Sequence, residues 1–524
     1  MKTHLLSLWK KLTWSEIKIT EPLPLGEGVL DKSGFTALEI DTLFESVNHA
    51  ETVIGQSVLF RSLTRPLDKL HEIENKQSAV EELRNNPELR TAVQELVTTA
   101  TAHENNFYRL LFGEFLPMFG TSKTDKEIEG YGYIQYKRGI RLVTELVSQI
   151  QNVPEPESDY LRELFERIKA FSNSRVYSLM TNAVYLTETS LQTKQERRKA
   201  WWLPAIVFYP RIFKPLIFFT LLAIGVSVLL FLPSILMEVI LASPLLLVYF
   251  PIVGGFDRDN FIIPLREIFK DSIELAGVLD ALGQLDELLS FLKFAENFAH
   301  ETVLPSLVES EHHRIILCDA INPILGKNNS DYVGNDLSLD NEKLLLITGP
   351  NSGGKTAFCK TVSQIQLLAQ IGCFVPARAA TLSVADKIFY QAPEISRLND
   401  GEGRFGAELK RTKDIFLASS ARSLVILDEL SEGTTFEEKM ESSLTVLNGF
   451  YRKGNSTLLI THNHQLVDEL VKQHLGIPKQ VEFLGDIPTH KIINGISRVS
   501  HAERVAKKIG FSKEDIEHYL VESV

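Results

Sequence analysis

The feature that most constrains this chain is the segment from Gly349 to Thr356, whose sequence is GPNSGGKT. The segment satisfies the pattern GxxxxGK[ST] of a phosphate-binding loop. An apolar run, Leu344–Thr348, precedes it, and a helical pattern follows it. Backbone N–H groups of such a loop, together with the N-terminus of the next helix, face the phosphates of a nucleotide. The sequence therefore predicts a strand, a nucleotide-binding loop and a helix, in that order.

The loop predicts the way in which ATP and Mg²⁺ bind. Lys355 is expected to reach the β- and γ-phosphates as a point charge, and the Thr356 hydroxyl is expected to bind Mg²⁺. The nucleotide-binding residues predicted here are Gly349, Pro350, Asn351, Ser352, Gly353, Gly354, Lys355 and Thr356.

Two further apolar runs end in polar residues that suit phosphate chemistry. Leu424 to Leu427 precede Asp428, expected to hold Mg²⁺, and Glu429, expected to polarise the attacking water as general base. Thr457–Thr461 precedes His462, which is expected to sense the γ-phosphate or orient the water. Alone, such residues are more typical of a solvated strand end or a structural histidine, but the upstream loop favours catalysis. The predicted catalytic residues are Glu429, His462 and Lys355.

Charge and cysteine content exclude several other classes of protein. The chain has 524 residues and a net charge of 55 − 67 = −12, so it does not coat nucleic acid through its overall charge. Its three cysteines have no CxxC spacing, which argues against a disulfide framework or a zinc cage and favours a reducing compartment.

A long apolar stretch runs from Pro215 to Gly255 with Glu238 as its only charged residue. A spanning helix needs about 20 apolar residues, so the stretch predicts two helices that meet at Pro233. We therefore predict a transmembrane hairpin over residues 201–255, in a multi-pass protein of the cell membrane. A re-entrant hairpin and a buried hairpin in a soluble core remain open. The basic residues before it place both flanking parts in the cytoplasm, namely Lys194, Arg197, Arg198, Lys199, Arg211 and Lys214.

The remaining patterns divide the chain into regions. Helical periodicity dominates before and after the apolar stretch, and short β-rich runs alternate with helices toward the C-terminus. The predicted organisation is an N-terminal tail (1–34), a helical lever or core domain in two parts (35–200 and 256–313), the transmembrane hairpin (201–255) and an ATPase domain (314–524).

Several of these segments together resemble the ATPase domain of the MutS mismatch-repair family. They are GPNSGGKT, LLAQIGCFVPA (Leu367–Ala377), LVILDEL and ITHNHQL (Ile460–Leu466), and the resemblance covers about residues 315 to 515. Leu38–Leu67 resembles the start of that family's helical core or lever domain, and Asp319–Gly326 its entry to the ATPase domain.

The resemblance implies a fold and an assembly. The implied fold is an α/β P-loop NTPase domain with a mostly parallel, ABC-ATPase-like sheet, preceded by an α-helical lever that the transmembrane hairpin interrupts. YVGNDLSL matches the family segment that carries a stacking aromatic, so Tyr332 is the residue implied for adenine. The family also implies a homodimer whose composite sites are completed by the neighbouring subunit.

This sequence departs from the family pattern at three places. Only 34 residues precede the lever, so the mismatch-reading domain is expected to be absent, and Phe112-Gly113-Glu114 matches its wedge motif without specificity. The apolar hairpin stands where the lever would lead into the DNA clamp. Glycine, at Gly403, takes the position of the serine that opens the signature segment, so slow hydrolysis is expected.

These observations predict a membrane-anchored ATPase that binds and hydrolyses ATP at dimeric composite sites. Its expected partners are a second copy and the lipid bilayer, with DNA binding related to mismatch repair left open. Basic clusters such as Lys410, Arg411 and Lys413 are more typical of solvated helix faces than of a phosphate groove. Two alternatives remain: mismatch repair itself, with the chain as a partial clamp, and a nucleotide-gated membrane scaffold with slow or no turnover and no mismatch recognition.

Overall fold

A computed structural model describes most of the chain as two compact units. The described residues are 22–115, 127–188, 190–199, 201, 202, 204–215, 218, 219, 223, 249, 251–340, 342–350, 353–392, 403–430, 436–485, 487–498 and 509–522. Unit 1 contains Ala50–Val58 and Glu82–Glu287. Unit 2 contains the described residues up to His49, then Leu59–Glu81 and those from Leu288 onward. Helices with residues in both units are Val53–Thr64, Leu70–Asn85 and Ile273–Asn297.

Unit 1 is mainly helical, and its longest helix shows how the sequence specifies it. Pro87 stands in the first turn, where its missing N–H costs nothing, and the Asn86 side chain accepts a hydrogen bond from Leu89 N at 3.1 Å. Apolar residues at three- and four-residue spacing form the buried face. The helices within this unit are Pro87–Phe112, Tyr133–Gly139, Arg141–Gln149, Asp159–Ala170, Arg175–Thr181, Lys194–Lys199 and Ile263–Lys270, with a π-helical turn at Arg258–Ile262.

Two buried carboxylates satisfy the backbone around one helix start in unit 1. Asp286 accepts hydrogen bonds from the Thr52 backbone N–H at 2.8 Å and from its hydroxyl at 2.7 Å. Glu104 accepts from the N–H groups of Val53 and Ile54 at 2.9 and 3.0 Å. Burial raises the pKa of both carboxyl groups. These contacts explain why acidic residues occur inside an apolar helical unit.

Short strands complete unit 1. Strands β1 (Glu114–Phe115) and β2 (Glu127–Ile128) pair in parallel. Strands β3 (Val184–Leu186), β4 (Leu191–Gln192) and β5 (Ile206–Phe208) form an antiparallel sheet in the order β4-β3-β5. Phe208 of β5 is buried and stacks on Phe261 with ring centroids 4.8 Å apart.

The predicted transmembrane hairpin is wrong. Within the described part of the chain, none of the helices combines the length and apolar character that a bilayer crossing requires. Where residues 201–255 are described, they include β5 and the buried Tyr249, whose hydroxyl donates to Ile212 O at 3.2 Å. Pro233, Glu238 and most of the stretch between 216 and 248 lie outside the described residues. The multi-pass membrane location and the lipid-bilayer partner depended on this hairpin and are corrected with it.

Unit 2 is built on a six-stranded sheet with strand order β11-β12-β13-β9-β14-β15. Its central strands, β9 (Leu344–Thr348), β12 (Leu424–Asp428) and β13 (Ser456–Ile460), are buried along their whole length. Continuous aliphatic runs suit such strands because helices cover both faces of a parallel sheet. The edge strands are β11 (Ile388–Gln391) on one side and the hairpin of β14 (Ile477–Leu484) with β15 (Ile487–Asn494) on the other.

Unit 2 also contains a second sheet and several helices. The second sheet contains β6 (Ser306–Val308), β7 (Ile315–Ala320), β8 (Asn335–Leu339) and β10 (Ala379–Ser383), in the order β6-β10-β7-β8. An isolated bridge between Leu30 and Ile388 places the start of the described chain against β11. The helices within this unit are Lys32–Ala37, Ile40–Val47, Lys355–Gln370, Gly403–Ala418, Phe436–Lys453, His464–Lys472 and Lys513–Glu522.

The predicted fold class also needs correction in its sheet. Strands β11, β12, β13, β9 and β14 run parallel, but β15 pairs antiparallel with β14. The second sheet is mixed too, since β10 is parallel to β6 and antiparallel to β7. Only Gly485 and residue 486 separate β14 from β15, and so short a connection requires an antiparallel hairpin. The β-structure is therefore divided among small mixed sheets.

Candidate nucleotide-binding site

The predicted loop leaves the C-terminal end of β9 and enters the helix Lys355–Gln370, called here the P-loop helix. Gly349 and Gly354 have φ of +135° and +90°, values that side-chain-bearing residues rarely adopt. A Cβ at Gly353 would lie 2.7 Å from Val481 Cγ2, so β14 also excludes a larger residue there. Asn351 and Ser352 lie outside the described residues. The glycine spacing is thus explained by backbone conformation and by close packing.

Lys355 is buried at the first position of the P-loop helix. Its Nζ donates hydrogen bonds to Gly349 O at 2.6 Å and Pro350 O at 3.0 Å. Burial lowers the pKa of Lys355 to about 8, against the opposing influence of Glu429 and Asp428. The side chain is therefore held along the loop that the sequence assigns to phosphate.

Asp428 ends β12 beside the start of the P-loop helix. Its Oδ2 accepts a hydrogen bond from the Thr356 hydroxyl at 3.3 Å and another from the Tyr390 hydroxyl at 3.3 Å. Burial raises the pKa of Asp428, and the neighbouring charge of Glu429 acts in the same direction. The hydroxyl and the carboxylate predicted as Mg²⁺ ligands are therefore in direct contact.

Glu429 and His462 form the third part of the site. Glu429 has a φ of +62°, and its N–H donates to Ile460 O at 3.0 Å. His462 Nε2 lies 3.0 Å from Glu429 Oε1. A left-handed backbone at a non-glycine residue is strained and is found most often at functional sites. Glu429, predicted as the general base, is therefore in contact with His462, predicted to sense the γ-phosphate or orient the water.

A cavity of about 430 Å³ lies beside the loop. Tyr332, half-buried, lines it together with Phe358 and Thr361 of the P-loop helix and with His490 of β15. A Cβ built on Gly354 would stand 3.5 Å from His490 Nδ1, so this imidazole borders the loop as well. The residue that the sequence proposes for adenine thus lines a pocket adjacent to the predicted phosphate site.

The donor set fits a magnesium nucleotide. Mg²⁺ is usually held in proteins by one or two carboxylates together with substrate phosphates, and here one hydroxyl and one carboxylate converge at the loop. Among the described residues there is no group of three or more histidine, cysteine or acidic side chains that would form a separate metal site. Most metal ligands would therefore come from the nucleotide and from water.

Two residues of this neighbourhood have no sequence motif to identify them. Tyr390 lies on β11, within a run of four buried residues, and His490 has a φ of +61° on the edge strand β15. Their positions depend on strand pairing across long sequence separations. Signature residues Gly403 and Arg404 begin the helix Gly403–Ala418, but the placement of their side chains lies outside what the structure describes.

The fold and the site define a class. A buried strand, a glycine loop and a helix, with an acidic strand end at the same edge of the sheet, form the arrangement of a P-loop nucleotide-binding domain. Residues 345–519 match the family model described as MutS domain V, which is a P-loop ATPase domain.

Curated relatives agree with this match. The protein named DNA mismatch repair protein MutS in Parabacteroides distasonis is 34% identical, and the match covers 44% of this chain and 28% of the relative. The protein of the same name in Thermotoga sp. strain RQ2 is 32% identical, and the match covers 47% of this chain and 32% of the relative. One from Brevibacillus brevis is 32% identical over 39% of this chain and 24% of its own length. The chain spans less than a third of the length of these relatives. Residues 345–519 are therefore similar to MutS domain V.

Proposed function

We propose that this protein binds Mg²⁺ and ATP at the Gly349–Thr356 loop and hydrolyses ATP there. The observation that carries the proposal is the convergence on one sheet edge of five side chains that follow three separate strands. Thr356 contacts Asp428, Glu429 contacts His462, and Lys355 donates a hydrogen bond to Gly349 O of the loop. The match of residues 345–519 to MutS domain V, a P-loop ATPase domain, supports the same activity.

Each residue has a role that its environment suits. ATP bound with Mg²⁺ supplies a γ-phosphoryl group whose bond to the leaving ADP oxygen is broken as water attacks. Lys355 exchanges its two carbonyl partners for phosphate oxygens, which are stronger acceptors for an ammonium group. Thr356 and Asp428 would hold Mg²⁺, which would neutralise charge that develops on the phosphate oxygens. Glu429 accepts a proton from the attacking water, and His462 orients Glu429 through their 3.0 Å contact.

The base of the nucleotide is assigned to the 430 Å³ cavity. Tyr332 provides an aromatic face and His490 a second ring bordering the same space as Gly354. Aromatic stacking adds about 0.5–1.5 kcal/mol beyond the apolar area that it buries. We assign Tyr332 and His490 to binding of adenine.

A dimer and DNA are proposed as the partners. The relatives are named for DNA mismatch repair, and proteins of this family generally act as dimers that bind DNA. Phosphate contacts give binding a steep dependence on salt. Duplex-stimulated turnover that declines between about 50 and 200 mM salt is the expected sign of DNA binding.

The experiment that tests hydrolysis compares wild-type protein with Glu429→Gln. The amide keeps the size of the side chain but cannot accept the proton, so the variant is expected to bind ATP and to release phosphate at least about 100-fold more slowly. Binding is measured with a fluorescent ATP analogue, and release with a phosphate sensor. Glu437→Gln, an exposed position in the first turn of the helix Phe436–Lys453, is the matched control. Equal turnover in Glu429→Gln and wild type would overturn the assignment of the general base.

A further inference from the structure

Tyr390 is buried beside the proposed metal site although no motif includes it. Its relative exposure is 1%, and it belongs to the edge strand β11 rather than to the loop or to the acidic strand end. A buried tyrosine needs a partner for its hydroxyl, whereas phenylalanine fills the same volume without one. Its neighbour Phe389 shows that β11 accepts phenylalanine in a buried position. The hydroxyl of Tyr390 therefore requires an explanation beyond packing.

The partner of that hydroxyl is the carboxylate proposed to hold Mg²⁺. Tyr390 Oη donates to Asp428 Oδ2 at 3.3 Å, the same oxygen that accepts from Thr356 Oγ1. A threonine that binds Mg²⁺ through its oxygen lone pair still donates its proton to the carboxylate. Two hydroxyls from different elements thus restrain one carboxylate oxygen, and neither of them occupies Oδ1.

The helix Gly403–Ala418, called here the signature helix, donates hydrogen bonds to Tyr390 and its neighbour. Arg411 Nη2 donates to Tyr390 O at 3.1 Å, and the Thr412 hydroxyl donates to Gln391 Oε1 at 3.0 Å. Register pairs Tyr390 with Ile426, two residues before Asp428. Both the signature helix and β12 therefore hold the end of β11. These contacts fix the backbone that carries the Tyr390 hydroxyl.

We propose that Tyr390 is a positioning residue for Mg²⁺, which orients the Asp428 carboxylate through the Oη–Oδ2 hydrogen bond. The proposal rests on the proposed function, since it assigns a role within the same Mg²⁺–ATP site. Partners outside the metal's own ligands fix the orientation of those ligands, and removing one typically costs 10–100-fold in metal affinity or activity. The signature helix, through its bonds to β11, acts on the same carboxylate.

The test is Tyr390→Phe in the full chain, with the Mg²⁺ concentration for half-maximal ATP hydrolysis as the main readout. This concentration is expected to rise about 10-fold, while the rate at saturating Mg²⁺ stays within about twofold of wild type. Nucleotide binding in EDTA and the thermal midpoint are expected to be unchanged, which separates metal positioning from folding. Tyr136→Phe is the matched control, because that buried hydroxyl also makes a 3.3 Å hydrogen bond, to Leu179 O in unit 1.

The outcomes separate the inference from the proposed function. If wild type hydrolyses ATP and Tyr390→Phe needs no more Mg²⁺ than wild type or Tyr136→Phe, the positioning role is overturned and the proposed function stands. If wild type binds no Mg²⁺–ATP, both are overturned. A drop in EDTA nucleotide binding equal to the loss of activity would also reject the inference, because it would show general damage to the site.

Discussion

Two apolar regions of this chain, one in each unit, differ in structure where they are described. In unit 2, Leu344–Thr348 and Leu424–Asp428 are five-residue strands buried along their length, and each leads directly into residues of the proposed Mg²⁺–ATP site. In unit 1, the described part of residues 201–255 contains the three-residue strand Ile206–Phe208, with Phe208 buried and Trp201 77% exposed. The place of an apolar run in the fold can be predicted when a sequence motif follows it. Hydropathy alone does not show whether protein or lipid covers the run.

The largest expected effect tests unit 1 at the ion pair between Lys214, in that apolar region, and Asp257. Asp257 is fully buried, and its Oδ2 lies 2.7 Å from Lys214 Nζ. The same oxygen accepts a hydrogen bond from the Tyr133 hydroxyl at 2.6 Å. Lys214→Met removes one partner and leaves a buried charge, so the free energy of unfolding of unit 1 is expected to fall by about 3–5 kcal/mol. Hydrogen exchange of unit 1 peptides measures the loss.

A surface pair in the same unit provides the control for this experiment. Arg258 contacts Asp259 at 2.7 Å, but both side chains are partly exposed. Arg258→Met is therefore expected to cost less than about 1 kcal/mol. Equal losses in the two variants would contradict the view that the covered environment of Asp257 gives the first pair its importance.

The next effect is in unit 2, at Lys355, the lysine proposed to bind phosphate. Lys355→Met keeps a long side chain but removes the charge, so the variant should lose about 3 kcal/mol of ATP binding, which is about 100-fold in affinity. Calorimetric titration with ATP measures the difference. Lys360→Met, on the same helix, removes an exposed ion pair with Glu39 at 2.7 Å and is expected to bind ATP normally. Normal ATP affinity in Lys355→Met would remove the loop from the proposed site.

A third effect concerns pH and the core of unit 2. His313 is fully buried, its Nε2 lies 3.2 Å from Gln366 Oε1, and burial lowers the pKa of His313 to about 4 from 6.5. Between these values the unfolded chain binds a proton that the native protein does not, so stability falls as pH decreases from 6.5 toward 4. At pH 5 the loss is about 2 kcal/mol.

The measurement for His313 is the slope of unfolding free energy against pH. His313→Gln is expected to flatten this slope between pH 6.5 and 4, whatever its absolute stability. His312→Gln, at the exposed neighbouring position, is the control and should keep the wild-type slope. A wild-type slope in His313→Gln would show that other groups cause the acid sensitivity.

The same contrast explains which parts of the fold and of the proposed site could be predicted from the sequence. The loop, the acidic strand end and His462 were predictable because glycine conformation and the edge of a parallel sheet constrain residue types locally. Tyr390 and His490 were not, because they reach the site through pairing of β11 with β12 and, for the hairpin of β14 and β15, through pairing of β14 with the distant strand β9. The transmembrane prediction relied on hydropathy, and hydropathy does not distinguish a bilayer from a protein interior, since both favour apolar side chains. Asp257, Lys214 and Tyr133 lie far apart in sequence, so their buried polar contacts could not be seen there.

The smallest expected effect tests the cavity proposed for the base separately from the loop proposed for the phosphates. Tyr332→Ala and His490→Ala each remove one ring from the cavity and are expected to weaken ATP binding by about 1 kcal/mol, or about fivefold. Tripolyphosphate, which lacks the base, is expected to bind each variant as it binds wild type. Tyr332→Phe keeps the ring and should keep ATP affinity, because stacking needs the aromatic face and not the hydroxyl. If tripolyphosphate binding fell as much as ATP binding, the rings would act on the loop conformation, and the 430 Å³ cavity would lose its assignment to adenine.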